Sequence, residues 1–277
     1  MYDNDFYSFE IVLNIIMYAA YKYSPEVYFF NTVLNPFLTK GSMLYENHKK
    51  KVEESLSAFI SPEGIINGSE LRENWFSIDK TDVFISHSHK DINRVKALAG
   101  WLYDTFNLTS FIDSCAWGYC DDLLRIIDDK YCYQKNKGTY DYNLRNYTTS
   151  HVHMMLSTAL AETMNRSECV LFFNTPNSIV MSDELKLINN KETTKTTSPW
   201  IFYELTMISK LNRVMPDRSD YSLSHSAKAK RDYIKIQYNV TDFISEIPSI
   251  DDNLLIKWKN ECDYYQHPLD VLYKLTG

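Results

Sequence analysis

The apolar positions of this chain follow one pattern before residue 79 and another after it. In the first part they recur at helical spacing. Residues 9–21 form an apolar-rich stretch that also holds Glu10 and Asn14. It is too short to span a bilayer and reads as a buried helix. Tyr18, Tyr21, Tyr23, Tyr28, Phe29 and Phe30 crowd the next turns. Met43 to Phe59 reads as an amphipathic helix, with Leu44, Val52, Leu56 and Phe59 on the apolar side and Lys49, Lys50 and Lys51 solvated. Pro62, Gly64, Asn67 and Gly68 then break the pattern. The expected organisation is a helical N-terminal extension over residues 1–78 and an α/β domain over 79–277 that ends in a C-terminal extension.

After residue 79 short apolar runs alternate with helical periodicity. Asp82-Val83-Phe84-Ile85-Ser86 is β-branched and aromatic, holds no Gly or Pro, and ends in polar residues, as a buried strand does. Asp91 stands at a helix N-cap position, followed by Ile92, Val95, Leu98, Ala99, Leu102 and Phe106 on one face. Thr109–Asp113 is a second strand, Asp121–Lys130 a helix, and Val152–Met164 another. Residues 131–147 are polar and tyrosine-rich and read as a loop or irregular insertion. Cys169–Phe173 is a continuous apolar run, as for a strand covered on both faces. A Thr-rich loop over 192–198 leads to Pro199 at the first position of a helix reaching Leu211. Tyr233–Tyr238 alternates like a later strand, and Pro268–Leu275 closes the chain as a helix. Such repetition predicts a mostly parallel sheet with helices on both faces.

Composition narrows the function. The formal net charge is −7 with both signs interspersed, which argues against a general nucleic-acid binder. The five cysteines show no CxxC spacing, which suits reduced thiols in a cytoplasmic protein. Neither standard Gly-rich phosphate loop is present, so P-loop and dinucleotide-fold enzymes are poor candidates. No span long enough for a membrane helix is found. The loop Ser86-His87-Ser88-His89-Lys90 stands at the carboxyl end of a strand, where open α/β sheets bind ligands.

Three segments carry a resemblance to a known family. Asp82-Val83-Phe84-Ile85-Ser86-His87 resembles the first-strand motif of Toll/interleukin-1 receptor (TIR) domains. Phe111-Ile112-Asp113 resembles their second strand, and Ser114 to Asp122 falls where the family's long following loop belongs. Trp200-Ile201-Phe202-Tyr203-Glu204 resembles their Trp-x-x-x-Glu helix. The similarity covers about residues 79–238 and is closest to the bacterial TIR proteins of Thoeris anti-phage defence. The resemblance implies a flavodoxin-like fold with the first strand central. It also implies an enzyme that cleaves the nicotinamide–ribose bond of NAD, its substrate, without a bound cofactor. An ADP-ribose-derived signal, a separate effector, a phage-derived trigger and self-association through the TIR domain follow from the same resemblance.

The chemistry requires a group that stabilises positive charge on the ribose, because nicotinamide leaves as a neutral base. The resemblance assigns that role to Glu204. Trp200, one helical turn earlier, walls the pocket and stacks on nicotinamide. Ser86 and His87 reach ribose or phosphate, or simply cap the strand. Asp113 binds substrate or caps the next turn. Trp117 covers the base, meets a neighbouring subunit, or packs. Two alternatives stand beside this reading. One is a non-catalytic TIR adaptor that acts by binding other TIR domains. The other is a metal-dependent hydrolase using His87, His89 and Asp91, whose spacing resembles a zinc motif although Ile92 replaces its final His.

Overall fold

The computed structural model describes residues 18–49, 66–75, 81–182, 193–211, 213 and 238–277. At residues 47–49, 73–75, 115–119, 181–182 and 193 it describes the backbone alone. Its centre is a five-stranded, all-parallel sheet. In chain order the strands are β1 (Ala19–Tyr23), β2 (Val83–Ser86), β3 (Ser110–Ile112), β6 (Cys169–Phe173) and β10 (Ser249–Ile250). Across the sheet they run β10-β1-β6-β2-β3. The strands β2, β3 and β6 are neighbours, with β2 between the other two, as the sequence pattern predicts. Every residue of these three strands is buried. Successive side chains in a strand point to opposite faces, so both faces of the sheet are covered.

The helical reading of the N-terminal segment is corrected at Ala19–Tyr23. This stretch is a strand that runs parallel to β6 over five residue pairs, from Ala19 opposite Cys169 to Tyr23 opposite Phe173. Its backbone finds partners on β6, and Tyr23 places its hydroxyl 2.7 Å from Asp252 Oδ1. With β1 and β10 extending the sheet, the middle position belongs to β6. The strand β2 is interior but not central, which corrects that part of the expectation. A helical turn, α1 (Val27–Phe29), and two short irregular turns lead into α2 (Leu38–Lys49). The Met43–Phe59 helix thus begins earlier than expected, and its part beyond residue 49 lies outside the described residues. So do residues 9–17. A short helix, α3 (Gly68–Trp75), precedes β2.

The helix α2 crosses α4 (Ile92–Phe106) at backbone contact. A Cβ added to Gly41 would stand 1.8 Å from Lys96 O, and one added to Gly100 would stand 2.4 Å from Phe37 O. Only glycine permits that approach. Asn107 ends α4 in the left-handed conformation with φ 55°, a position that Asn tolerates. Phe106 stacks on Trp258 at 4.1 Å between centroids, and Trp258 Nε1 donates to Pro268 O at 2.7 Å. This ties α9 (Asp252–Glu261), which follows the short helix α8 (Thr241–Glu246), and α10 (Pro268–Thr276) to the core. The closing helix falls where the pattern placed it.

Other elements depart from expectation. Ser114 begins a helix, α5 (Ser114–Ile127), where the resemblance implies a long loop. Cys120, Leu123 and Ile127 are buried at helical spacing and hold it against the core. Residues 131–147 include a small hairpin of β4 (Tyr133–Gln134) and β5 (Thr139–Tyr140). They then enter α6 (Tyr142–Arg166), which starts ten residues before the predicted helix. Asp141 caps it by accepting from Asn143 N and Leu144 N. The Thr-rich loop contains β8 (Thr193–Thr196), paired antiparallel with β7 (Val180–Ser182) and β9 (Tyr238–Asn239). Only Tyr238 of the strand expected at 233–238 lies among the described residues. Ser198 caps α7 (Pro199–Ile208) by accepting from Ile201 N at 3.2 Å, with Pro199 at its first position.

Candidate active site

The chain leaves β2 for β3 on one side and returns through β6 on the other. The carboxyl ends of β2 and β6 therefore flank a point where the strand order reverses, the place at which open α/β sheets form ligand sites. Ser86 ends β2, His87 follows it, and Asp113 and Ser114 follow β3. From the other direction α7 brings Glu204. Its capped start and Pro199 set the register that turns Glu204 inward.

Ser86 Oγ donates to Glu204 Oε2 at 2.7 Å. Both side chains are fully buried. Glu204 Oε1 has no donor among the described residues. Burial first, and then the charge of Asp113, push the Glu204 carboxyl well above its ordinary value of 4.5; the Ser86 hydrogen bond pulls the other way. These surroundings favour the neutral, protonated form of Glu204.

Asp113 also binds backbone. It accepts from His87 N at 3.2 Å through Oδ2 and from Ser114 N at 2.5 Å through Oδ1. It thereby joins the end of β2 to the start of α5. His87 Nδ1 lies against Asp113 Oδ1, in contact but off the hydrogen-bond axis. On the other side of the ring His87 Nε2 meets Ser114 Oγ at 3.1 Å.

Four of the expected site residues, Ser86, His87, Asp113 and Glu204, thus converge. Trp200 is half-buried one turn before Glu204, and its ring packs edge-on against His153 of α6, 5.5 Å between centroids. Burial lowers the tendency of that His153 to protonate. Trp117 falls on α5, and its side chain lies outside the described residues. Ser114 was not singled out from the sequence. Asp113 followed by Cys120, Leu123 and Ile127 at helical spacing is the signal that starts a helix there.

The zinc-like spacing does not assemble. Asp91 is buried, but instead of capping α4 with its side chain it accepts from Thr175 Oγ1 at 2.5 Å and Asn177 Nδ2 at 3.0 Å. Among the described residues His87, His89 and Asp91 form no group of converging metal donors.

No family model, no curated protein and no solved structure matches the chain. Among the described residues no helix is long and apolar enough to cross a membrane. Cys120, Cys132, Cys169 and Cys262 are free thiols, and burial raises Cys120 to about 12.

Proposed function

We propose that this chain cleaves the nicotinamide–ribose bond of NAD with Glu204 as the group that stabilises charge on the ribose. The observation that carries the proposal is the buried Glu204, held by a hydrogen bond from Ser86 at the carboxyl edge of the parallel sheet, with Asp113 near enough for its charge to raise the Glu204 carboxyl. The TIR-like motifs in the sequence supply the reaction class.

At rest the environment of Glu204 favours the neutral acid. A bound pyridinium riboside brings positive charge, which favours the ionised form, and the proton passes out to solvent. The carboxylate then faces the ribose as nicotinamide departs neutral and positive charge grows on C1′. Water or a hydroxyl of the substrate captures C1′. Glu204 is wholly covered at rest, so substrate entry requires displacement of the segment above it. That coverage suits an enzyme that stays silent until triggered. The reading extends to a cytoplasmic, self-associating TIR enzyme of anti-phage defence whose ADP-ribose-derived product acts on a separate effector. No resident cofactor takes part in it.

The test is NAD loss in triggered extract for wild type and Glu204→Gln. Removing the charge while keeping the shape should cost about 3–4 kcal/mol, on the order of a hundredfold or more in rate. Equal consumption by both proteins would remove the enzymatic assignment and leave the adaptor reading.

A further inference from the structure

Asp113, His87 and Ser114 line up in an order that charge stabilisation of a ribose does not require. We propose that they form a second chemical device beside Glu204, sharing Asp113 and His87 with that site: a serine nucleophile, Ser114, activated by His87 and oriented by Asp113, that reacts with carboxylic esters of small acyl groups.

The geometry carries this in three steps. The base is within reach of the nucleophile, with His87 Nε2 3.1 Å from Ser114 Oγ. The base in turn touches an orienting carboxylate through its other nitrogen, His87 Nδ1 against Asp113 Oδ1. The contact lies off the N–H axis, a misalignment common before substrate binds. The carboxylate itself is fixed, since Asp113 accepts from two backbone N–H groups. This is the nucleophile, base and orienter arrangement of activated serines, recognised by geometry and not by sequence order.

The local backbone adds to it. Ser114 is the first residue of the 14-residue helix α5, at a turn from strand to helix. The first-turn N–H groups of a helix lack intrahelical partners and carry partial positive charge. Asp113 already takes the Ser114 N–H, so an acyl oxygen that gains negative charge beside Ser114 Oγ would draw on the first-turn N–H groups that follow it. All three side chains are buried, with Ser114 3% exposed. Among the described residues His87 Nε2 is the partner of Ser114 Oγ.

The step balances. His87 Nε2 takes the Ser114 hydroxyl proton as Oγ bonds to the acyl carbon. The bond from that carbon to the alkoxy oxygen breaks, and His87 returns the proton to the departing alcohol. Water then attacks the acyl-serine, with His87 again taking and returning one proton. The net change is ester and water to acid and alcohol. Nδ1–H faces Asp113 throughout.

The experiment uses the full chain and an alkyl fluorophosphonate probe without NAD. Phosphonylation of Ser114 forms an Oγ–P bond, breaks the P–F bond and releases fluoride. Peptide mass mapping of wild type should place the label on Ser114. His87→Gln should label at least about a hundredfold more slowly, and Ser114→Ala should carry no label there. Heat-denatured wild type needs no substitution and should also lose the label, because the relay exists only in the fold. p-Nitrophenyl acetate should give a burst of one nitrophenolate per chain. No label on Ser114 of the folded wild type would overturn the proposal. So would equal labelling of the denatured chain, or undiminished labelling of a folded His87→Gln protein.

Discussion

Ser86 and Glu204 stand 118 positions apart and share a 2.7 Å hydrogen bond in the protein interior. One ends a strand and the other lies inside a helix. Their contact fixes α7 over the carboxyl end of β2. It also leaves Glu204 in surroundings that disfavour its charge, which gives the first prediction a pH dependence.

The folded value of Glu204 is raised, by burial first and by Asp113 second. A group whose folded value exceeds its unfolded value contributes stability that is fully present below the unfolded value. That stability is lost as pH rises through the folded value. Glu204→Gln is neutral at every pH. It should match wild type near about pH 4 and become the more stable of the two as pH rises toward about 8. Urea unfolding of both proteins across that range is the measurement. Parallel profiles would contradict the buried, proton-holding Glu204.

The close crossing of α2 and α4 predicts a severe response to one methyl group. In Gly41→Ala the new Cβ would meet the backbone at Lys96 O, at 1.8 Å without relaxation. Backbone cannot rotate away as a side chain can. The helices should separate, at a cost of about 1–3 kcal/mol or more. Gly138→Ala is a useful contrast: it has φ 64° but nothing within 4 Å of the added carbon, so its cost is local strain alone, about 1 kcal/mol. Thermal melts of the two variants should rank Gly41→Ala as the less stable.

Trp258 tests whether the C-terminal segment is part of the core. It is 1% exposed, stacks on Phe106 and donates to Pro268 O. Trp258→Ala should cost about 3–5 kcal/mol. Chemical denaturation should show one cooperative transition at lower denaturant. A variant with wild-type stability would mean that α9 docks without contributing to the fold.

Asp91 gives a prediction that separates its structural role from metal binding. Asp91→Ala leaves the hydroxyl of Thr175 and the amide of Asn177 without their acceptor, at about 1–3 kcal/mol. The loss should be the same with and without added zinc in a urea titration. A zinc-dependent difference would revive the His87, His89 and Asp91 reading.

The sequence by itself determined the inner strands and the helices with a strong apolar face. Residues 83–86, 110–112 and 169–173 are buried on both faces, and such strands read as unbroken apolar runs. The start of α7 was also legible, because Ser198 and Pro199 are local capping signals. Ala19–Tyr23 was not. Its residues have no preference strong enough to choose strand over helix, and the choice was made by pairing with β6, about 150 positions later. Lys22 within it donates to Ile244 O, 222 positions away. At the site, the sequence supplied Ser86, His87, Asp113 and Glu204 as candidates, with Glu204 expected in a cleft. The tertiary structure decided that Glu204 is enclosed and carries a carboxyl neighbour. It also placed Ser114 against His87, because β2 and β3 lie side by side and end at the same level. Adjacency of strands is a property of the folded sheet. No local pattern encodes which two strand ends will meet, so the contacts between them appear only once the chain has closed on itself.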